Sequence, residues 1–561
     1  MTDQSGGKGN WREVAASREF VFALLFCAAL FVFEWIQFRP LDAIRIFNRH
    51  WAEGNQLRLA VFLLLSMSGI GLSVLFFWAA FTSSYLIRFF YLAVFALTAA
   101  IEYSMFRAFD RFSRLVDVAT ALLGIDLRIG SEAIAMYFNW IAVMPAAAFC
   151  ILLIFAGKNK SRGIGTFALI VTAFIGFFFV TTYFTKNLFY TNSLANTFRT
   201  VVSFPVGWYV GTVDGPAEGM AYGAKREAVT YQAPQPPKNN IVFIVDESIR
   251  GDRLSLNGYR VPTTPTLDEL NKKGVIANWG VAVSGTTCSH TSNPLMLTGL
   301  TELPDRMHNV YRIPTIFQYA KASGYKTSYY DGQTNVIWNG KTLDIPDFGD
   351  WIKVNELSKN TNFRYEIDAE IARRLKETLA TSTGNFIWVN KFGVHTPYTN
   401  SFPNEHYGEI LDALPADYDP YLQEDAIGKL YDAAITYNLE SFFRELLADG
   451  PAADTYYVYT SDHGQTLREN GSTVSHCAET KPEANVPLFM IAEKEQLPPA
   501  DTSYRPTQAN IFATLLDLMQ FPESERKQPY ALSLLKASGK DSAPRFYYSN
   551  ELRLAVKHPF D

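Results

Sequence analysis

The chain has 561 residues, of which 48% are hydrophobic and only 19% charged, with a formal net charge of −5. That length exceeds one compact domain, and the apolar content is high for a soluble protein. The mild negative charge leaves no basic footprint for nucleic acid.

The apolarity is concentrated in the first third. Runs at about 20–36, 59–81, 86–106, 134–156 and 164–184 each approach the roughly 20 residues that a helix needs to cross the hydrocarbon core. Five transmembrane helices over residues 1–185 are therefore expected. Buried helices of a soluble core are the plainer alternative, but they would leave such a domain little polar surface. The first run is long and lacks a small-residue cleavage site before Phe33-Glu34-Trp35, so it reads as a retained anchor rather than a signal peptide. Lys8, Arg12 and Arg18 precede the first run, and Lys158, Lys160 and Arg162 lie between the fourth and fifth. Both segments should face the cytoplasm, and an odd number of spans carries everything after about residue 185 to the opposite face. Arg107, Arg111, Arg114 and Arg128 run against that rule and suit a basic segment lying at the lipid headgroups.

Residues 186–240 read as a bridge. The aromatics Phe189, Tyr190, Phe198, Phe204, Trp208 and Tyr209 alternate with polar residues, as in interfacial helices, and the Pro-rich stretch 233–240 is a semi-rigid linker. From residue 241 to 561 short apolar runs at 241–245, 326–330, 386–390, 455–460 and 488–491 alternate with helical segments such as 424–447 and 509–519. That pattern predicts an α/β domain with a mostly parallel sheet covered on both faces, its functional residues in loops at the strands' carboxyl ends. Cys27 and Cys150 fall within apolar runs as inert packing. Cys288 and Cys477 lie in the second half, where an oxidising compartment would permit a disulfide between them.

The run 455–460 leads directly into Ser461-Asp462-His463-Gly464, and the run 241–245 into Asp246-Glu247-Ser248. Glu247, Asp462 and His463 would then meet at one sheet edge as three ligands with an open position, the layout of a catalytic zinc. The competing account of Glu247 is an ion pair with Arg250 or Arg253. His395 and His476 also sit in loops near predicted strands and could bind a second metal or a substrate phosphate. Residues 284–299 crowd small hydroxyl residues before an apolar helical run, which suits a nucleophile at a helix N-terminus as well as it suits an ordinary cap.

Together, residues 241–250, Leu254 to Tyr259, the hydroxyl-rich segment, His395-Thr396-Pro397-Tyr398, Tyr437-Asn438, Ser461-Asp462-His463-Gly464, Glu469-Asn470-Gly471 and His476 resemble the membrane phosphoethanolamine transferases. That family belongs to the alkaline phosphatase and sulfatase superfamily and includes the lipid A modifiers behind polymyxin resistance. The likeness runs along nearly the whole chain, since the family also has five N-terminal spans and a bridge before its catalytic domain. It implies a zinc held by Glu247, Asp462, His463 and the nucleophile's oxygen, with His395 and His476 at a second metal or phosphate subsite. One zinc or two would fit, with manganese as the other metal allowed.

The family nucleophile is a threonine three residues before Ser-x-Pro. Here Ser292-Asn293-Pro294 puts that position at Ser289, a register that Leu297-Thr298-Gly299 repeats, with Thr287 as the fallback if the loop carries an insertion. The family's phosphate-holding Asn and Lys are altered, leaving Gln333 and Lys341 as substrate-binding candidates. The family's disulfides are reduced to the pair Cys288 and Cys477, whose bond would link the nucleophile loop to the His476 loop.

The resemblance implies transfer of phosphoethanolamine from phosphatidylethanolamine, through a covalent phospho-enzyme, to lipid A or a periplasmic glycan. The protein would lie in the inner membrane with its catalytic domain in the periplasm. Phosphoglycerol transfer, or sulfatase- or phosphatase-type hydrolysis on the same fold, is the alternative enzyme. An inactive lipid-sensing membrane protein is the alternative from another class.

Overall fold

A computed structural model describes residues 17–38, 51, 56–109, 138–156, 164–185, 200, 226–302, 310, 312–333, 349–357, 364–396, 398–403, 406, 424–469, 474–477, 479–549 and 556–561. Arg111, Arg114, Arg128, Lys158, Lys160, Arg162, the aromatics from Phe189 to Tyr209, and Lys341 lie outside the described residues. The chain divides into two compact units, Met1–Gly215 and Pro216–Asp561. The Pro-rich stretch 233–240 therefore falls within the second unit.

The first unit contains the helices α1 (Arg18–Phe38), α2 (Gln56–Thr82), α3 (Tyr85–Phe109), α4 (Val143–Phe155) and α5 (Ile164–Thr185). Each predicted apolar run thus contributes a helix. Among the described residues, three are long and apolar enough to cross a membrane, over Arg18–Phe38, Leu59–Thr82 and Tyr85–Phe106. Their inward faces meet through aromatic rings: Phe26 stacks on Phe149 at 5.0 Å and meets Phe77 edge-on at 4.8 Å. Their outward faces remain apolar, with Leu86 80% and Ile36 65% exposed, a pattern that suits lipid and not water.

The second unit is an α/β fold around one seven-stranded sheet of order β2-β9-β6-β1-β5-β3-β4. Its strands are β1 (Asn240–Asp246), β2 (Ile276–Val283), β3 (Lys326–Asp331), β4 (Asp350–Ile352), β5 (Asn385–Asn390), β6 (Thr455–Ser461) and β9 (Asn485–Ile491). The pairs from β6 through β4 are parallel, while β9 is antiparallel to both its neighbours, so the sheet is mostly parallel as expected. Two short antiparallel pairs lie outside it, β7 (Thr466–Leu467) with β8 (Val474–Ser475) and β10 (Phe546–Ser549) with β11 (Val556–Pro559).

Both faces of β1 are covered, which explains its unbroken apolar sequence. Val242 and Ile244 pack in one core with the helix α9 (Arg364–Thr381) and the helical segment that starts with α10 (Glu424–Ala434). Ile241, Phe243 and Val245 pack in the other with α8 (Ile316–Ala322) and α12 (Ala509–Leu518). Between the two cores the register is tight. Asp246 pairs with Ser461 across β1 and β6, and Val245 with Asn390 across β1 and β5. The residues that follow these strands therefore emerge side by side.

The expected helix over 424–447 is α10, then a π-helical turn at Ile435–Glu440, then α11 (Ser441–Leu446). Such a bulge inserts a residue and re-aims the side chains around it. Here it turns Asn438 inward, where its side chain contacts Lys391 and Asp368.

Candidate active site

β1 and β6 end level with each other, so Glu247 and the pair Asp462 and His463 meet at the sheet's carboxyl edge. All three are buried, and a ligand atom from each lies within 4.8 Å of the others. Ser248 makes the junction. It adopts a positive φ of 62°, its amide donates to Asp462 Oδ1 at 3.1 Å, and its hydroxyl donates to Glu247 Oε1 at 2.7 Å. A non-glycine residue holds such a conformation only where its surroundings impose it, and here one residue ties both carboxylates. The Asp462 amide also donates to the Asp246 carbonyl at 2.9 Å. Behind Glu247, the Asp246 carboxylate receives the buried Lys391 ammonium at 2.6 Å and the Tyr459 hydroxyl at 2.9 Å.

The loop after β5 lies flush on this junction because residue 393 is glycine. A β-carbon there would come within 2.5 Å of Asp246 Oδ1 and 2.6 Å of the Glu247 amide nitrogen, and its φ is +65°. The alternative partners of Glu247 are engaged elsewhere. Arg250 pairs with Asp252 and Glu469, and Arg253 with Asp432.

The donor set fits a divalent cation. Two buried carboxylates face each other, and burial together with repulsion from Asp462 holds the Glu247 carboxyl well above its usual range. Asp462 Oδ2 is buried yet has no hydrogen-bond partner among the described residues, a costly state for an anionic oxygen unless a cation meets it. His463 Nδ1 lies 2.7 Å from the Gly464 carbonyl oxygen, which only accepts, so Nδ1 carries the proton. Nε2 is left to present its lone pair, 3.5 Å from Glu247 Oε1 and 3.4 Å from Asp462 Oδ2.

Ser289 opens the helix α7 (Ser289–Thr298). Its Oγ lies 3.1 Å from His463 Nε2 and 3.4 Å from Glu247 Oε2. Thr287, the fallback, is fully buried two residues upstream, its amide donating to the Tyr548 carbonyl at 3.3 Å. His476 and His395 come to the same place. The His476 ring stacks on His463 at 4.6 Å and meets His395 edge-on at 4.9 Å. Cys288 and Cys477 form a disulfide. Gln333, a substrate-binding candidate, donates from Nε2 to Glu247 Oε2 at 3.2 Å and to the Lys391 carbonyl at 2.9 Å.

Sequence reasoning missed one clamp. The Gln508 carboxamide, just before α12, accepts from the Ser284 hydroxyl at 2.9 Å and the Gly285 amide at 3.2 Å, and donates to the Asp462 carbonyl at 3.1 Å. It joins the nucleophile loop to the Asp462 arm, and the Ser284 Oγ lies 2.7 Å from the same Asp462 carbonyl oxygen. A polar residue before an apolar helix gives no signal of such a role.

The fold and these donors define an α/β protein whose buried carboxylates and imidazole fit a cation beside a hydroxyl. The sulfatase family matches residues 239–521, half of the chain, and the protein belongs to that family. Its curated relatives include phosphoethanolamine transferases of the kind that the sequence resembles. Phosphoethanolamine transferase EptC of Escherichia coli is 26% identical over 233 residues, 40% of this chain and 40% of the relative. Phosphatidylethanolamine transferase Mcr-1 of Escherichia coli is 25% identical over 309 residues, 50% of this chain and 53% of the relative. The matched part thus spans about half or less of these relatives' length. The fold is also that of the integral membrane lipooligosaccharide phosphoethanolamine transferase EptA from Neisseria meningitidis, with TM-score 0.56 and 16% identity over 90% of this chain and 97% of that one.

Proposed function

We propose that the protein is a membrane phosphoethanolamine transferase of the inner membrane. In this reading it has five spans over residues 1–185, a bridge over 186–240 and a periplasmic catalytic domain over 241–561. It would take phosphoethanolamine from phosphatidylethanolamine and pass it to an envelope acceptor, lipid A or a periplasmic glycan. The observation that carries the reading is the Ser289 hydroxyl lying 3.1 Å from His463 Nε2 in a cradle whose Asp462 Oδ2 has no hydrogen-bond partner among the described residues.

Glu247, Asp462, His463 and Ser289 would hold the metal, zinc by the mixed carboxylate and imidazole chemistry of the set. When bound, it would lower the hydroxyl pKa and offset charge on the phosphoryl oxygens. Ser289 Oγ, at the N-terminus of α7, attacks phosphorus and diacylglycerol leaves with the bridging oxygen. The α7 amides face the developing negative charge, a stabilisation that the helix dipole reinforces. His395 and His476 bind phosphoryl oxygens or move the proton to the leaving group, then take it from the acceptor in the second half. Gln333 holds Glu247 in place rather than touching the ester. An N-terminal unit in the bilayer would confine the enzyme to the membrane that carries its lipid donor, and binding of the donor's acyl chains could then orient the ester.

The test is mass spectrometry of envelope glycolipids and glucans with and without the gene. An added phosphoethanolamine mass that depends on the gene is expected. Purified protein should also release fluorescent diacylglycerol from labelled phosphatidylethanolamine in preference to labelled phosphatidylglycerol. The opposite preference would move the reading to phosphoglycerol transfer, and release without any acceptor product would move it to a hydrolase.

A further inference from the structure

The side chains that would perform the transfer do not account for the covalent bond beside them. Cys288 is the residue before Ser289 and occupies the N-cap of α7 with extended backbone. Cys477 is the residue after His476 and holds a positive φ of 65°. A residue with a side chain stays in that region only where its surroundings over-determine it. The bond joins positions 189 apart in sequence, with Cα atoms 4.6 Å apart.

Weaker ties run alongside it. The Cys477 amide donates to the Thr287 carbonyl at 2.7 Å. The Tyr547 hydroxyl donates to the Glu479 carbonyl at 2.8 Å, while the neighbouring Tyr548 exchanges backbone hydrogen bonds with Gly285 and Thr287 at 3.0 and 3.3 Å. β10 therefore touches both loops that the disulfide joins. The shared geometric result is the stack of His476 on His463 and its contact with His395. The main supports of Glu247, Asp462 and His463 are β1, β6 and Ser248 rather than this seam.

We propose that the Cys288–Cys477 disulfide is the positioning element that assembles His476 and His395 beside Ser289 as a phosphate-binding subsite. The subsite is complete in the oxidised protein only, whereas the cradle of Glu247, Asp462 and His463 is indifferent to the bond. The identity of the ester rests on the function proposed above; the anion binding does not. Reduction by a water-soluble phosphine balances simply. Phosphorus attacks one sulfur and expels the other as a thiolate that takes a proton, and water hydrolyses the adduct to a second thiol and a phosphine oxide. Two electrons pass from phosphorus to the disulfide.

The experiment uses the full chain, purified in detergent with zinc, and inorganic phosphate as the probe, read by isothermal titration calorimetry. Oxidised wild type, phosphine-reduced wild type and the double variant C288S/C477S are compared, each with and without His476→Ala, alongside zinc content and thermal unfolding. Phosphate binding should weaken about 10-fold or more when the bond is absent, the scale of a misplaced binding group. His476→Ala should weaken it in the oxidised protein but add little once the bond is gone. Zinc content and cooperative unfolding should persist in every form.

Equal phosphate affinity in the three states overturns the proposal, as does a full additional loss from His476→Ala in the double variant. Loss of zinc or of the folded state on reduction would make the bond a fold element and overturns it too. So would free thiols at both cysteines by peptide mass mapping of the oxidised protein. If phosphate binding follows the bond while no form turns over phosphatidylethanolamine, the inference stands and the phosphoethanolamine reading fails.

Discussion

The two halves of the candidate site are held by different kinds of structure. Glu247, Asp462 and His463 leave adjacent central strands and are almost wholly buried, and Ser248 hydrogen-bonds both carboxylates. His395 and His476 sit on loops, half-buried, and meet through ring contacts beside a disulfide. Ser289 stands between them at the tip of α7. A cradle that crowds two carboxylates must be rigid before a cation arrives, because nothing else offsets their repulsion. A subsite that receives and releases a phosphoryl group needs the opposite property, side chains that can give way.

The largest expected effect is at the junction of the halves. Ser289→Ala should lower transfer by about 10⁴-fold or more, as loss of a nucleophile does, while Thr287→Ala leaves turnover measurable. The reverse pattern in a lipid-release assay would move the nucleophile to Thr287 and break the division drawn above. Within the strand-borne half, Asp462→Asn should leave the purified protein short of zinc by elemental analysis after dialysis, with His395 and His476 intact. A stoichiometric metal content in that variant would show that the loop histidines carry the cation themselves.

A smaller effect is expected at the clamp between the halves. Gln508→Ala removes the carboxamide that joins Ser284 and Gly285 to the Asp462 carbonyl. Metal affinity or activity should fall roughly 10–100-fold, the usual cost of losing an outer-shell partner, measured by chelator competition and by kcat/KM. The smallest effect is on stability. Burial and Asp462 raise the Glu247 pKa in the folded protein, so the native state binds a proton that the unfolded chain has released. That contribution is fully present at low pH and is lost as pH rises through the raised value. Metal-free Glu247→Gln should therefore melt above metal-free wild type at neutral pH, by about 2–4 °C for each kcal/mol relieved, and level with it at acid pH. Added zinc should reverse the order.

The strand-borne half was readable in the sequence because β1 carries an unbroken apolar run and β6 a run of aromatic and β-branched residues, each followed abruptly by acid or imidazole. Ser289 was readable from its spacing to Pro294. β2 was not, since Asn278, Trp279 and Gly280 interrupt its pattern where the register slips against β9. The terminal pair β10 and β11 is too short to leave a periodic trace. The target of Gln333 was equally hidden. Its carboxamide turns toward Glu247 because the Lys391 carbonyl offers the second acceptor, a tertiary fact with no local signature.

β1 is paired on both sides, with β6 from Asn240 to Asp246 and with β5 from Ile241 to Val245. Its amides can exchange with solvent deuterium only when the sheet opens as a whole, and the Asp462 amide, bonded to the Asp246 carbonyl, shares that protection. The Cys477 amide, bonded across a surface seam, needs only a local opening. The cation's cradle is therefore timed by global unfolding and the phosphate-facing loop by its own breathing, so the two clocks of the site run on separate scales within one fold.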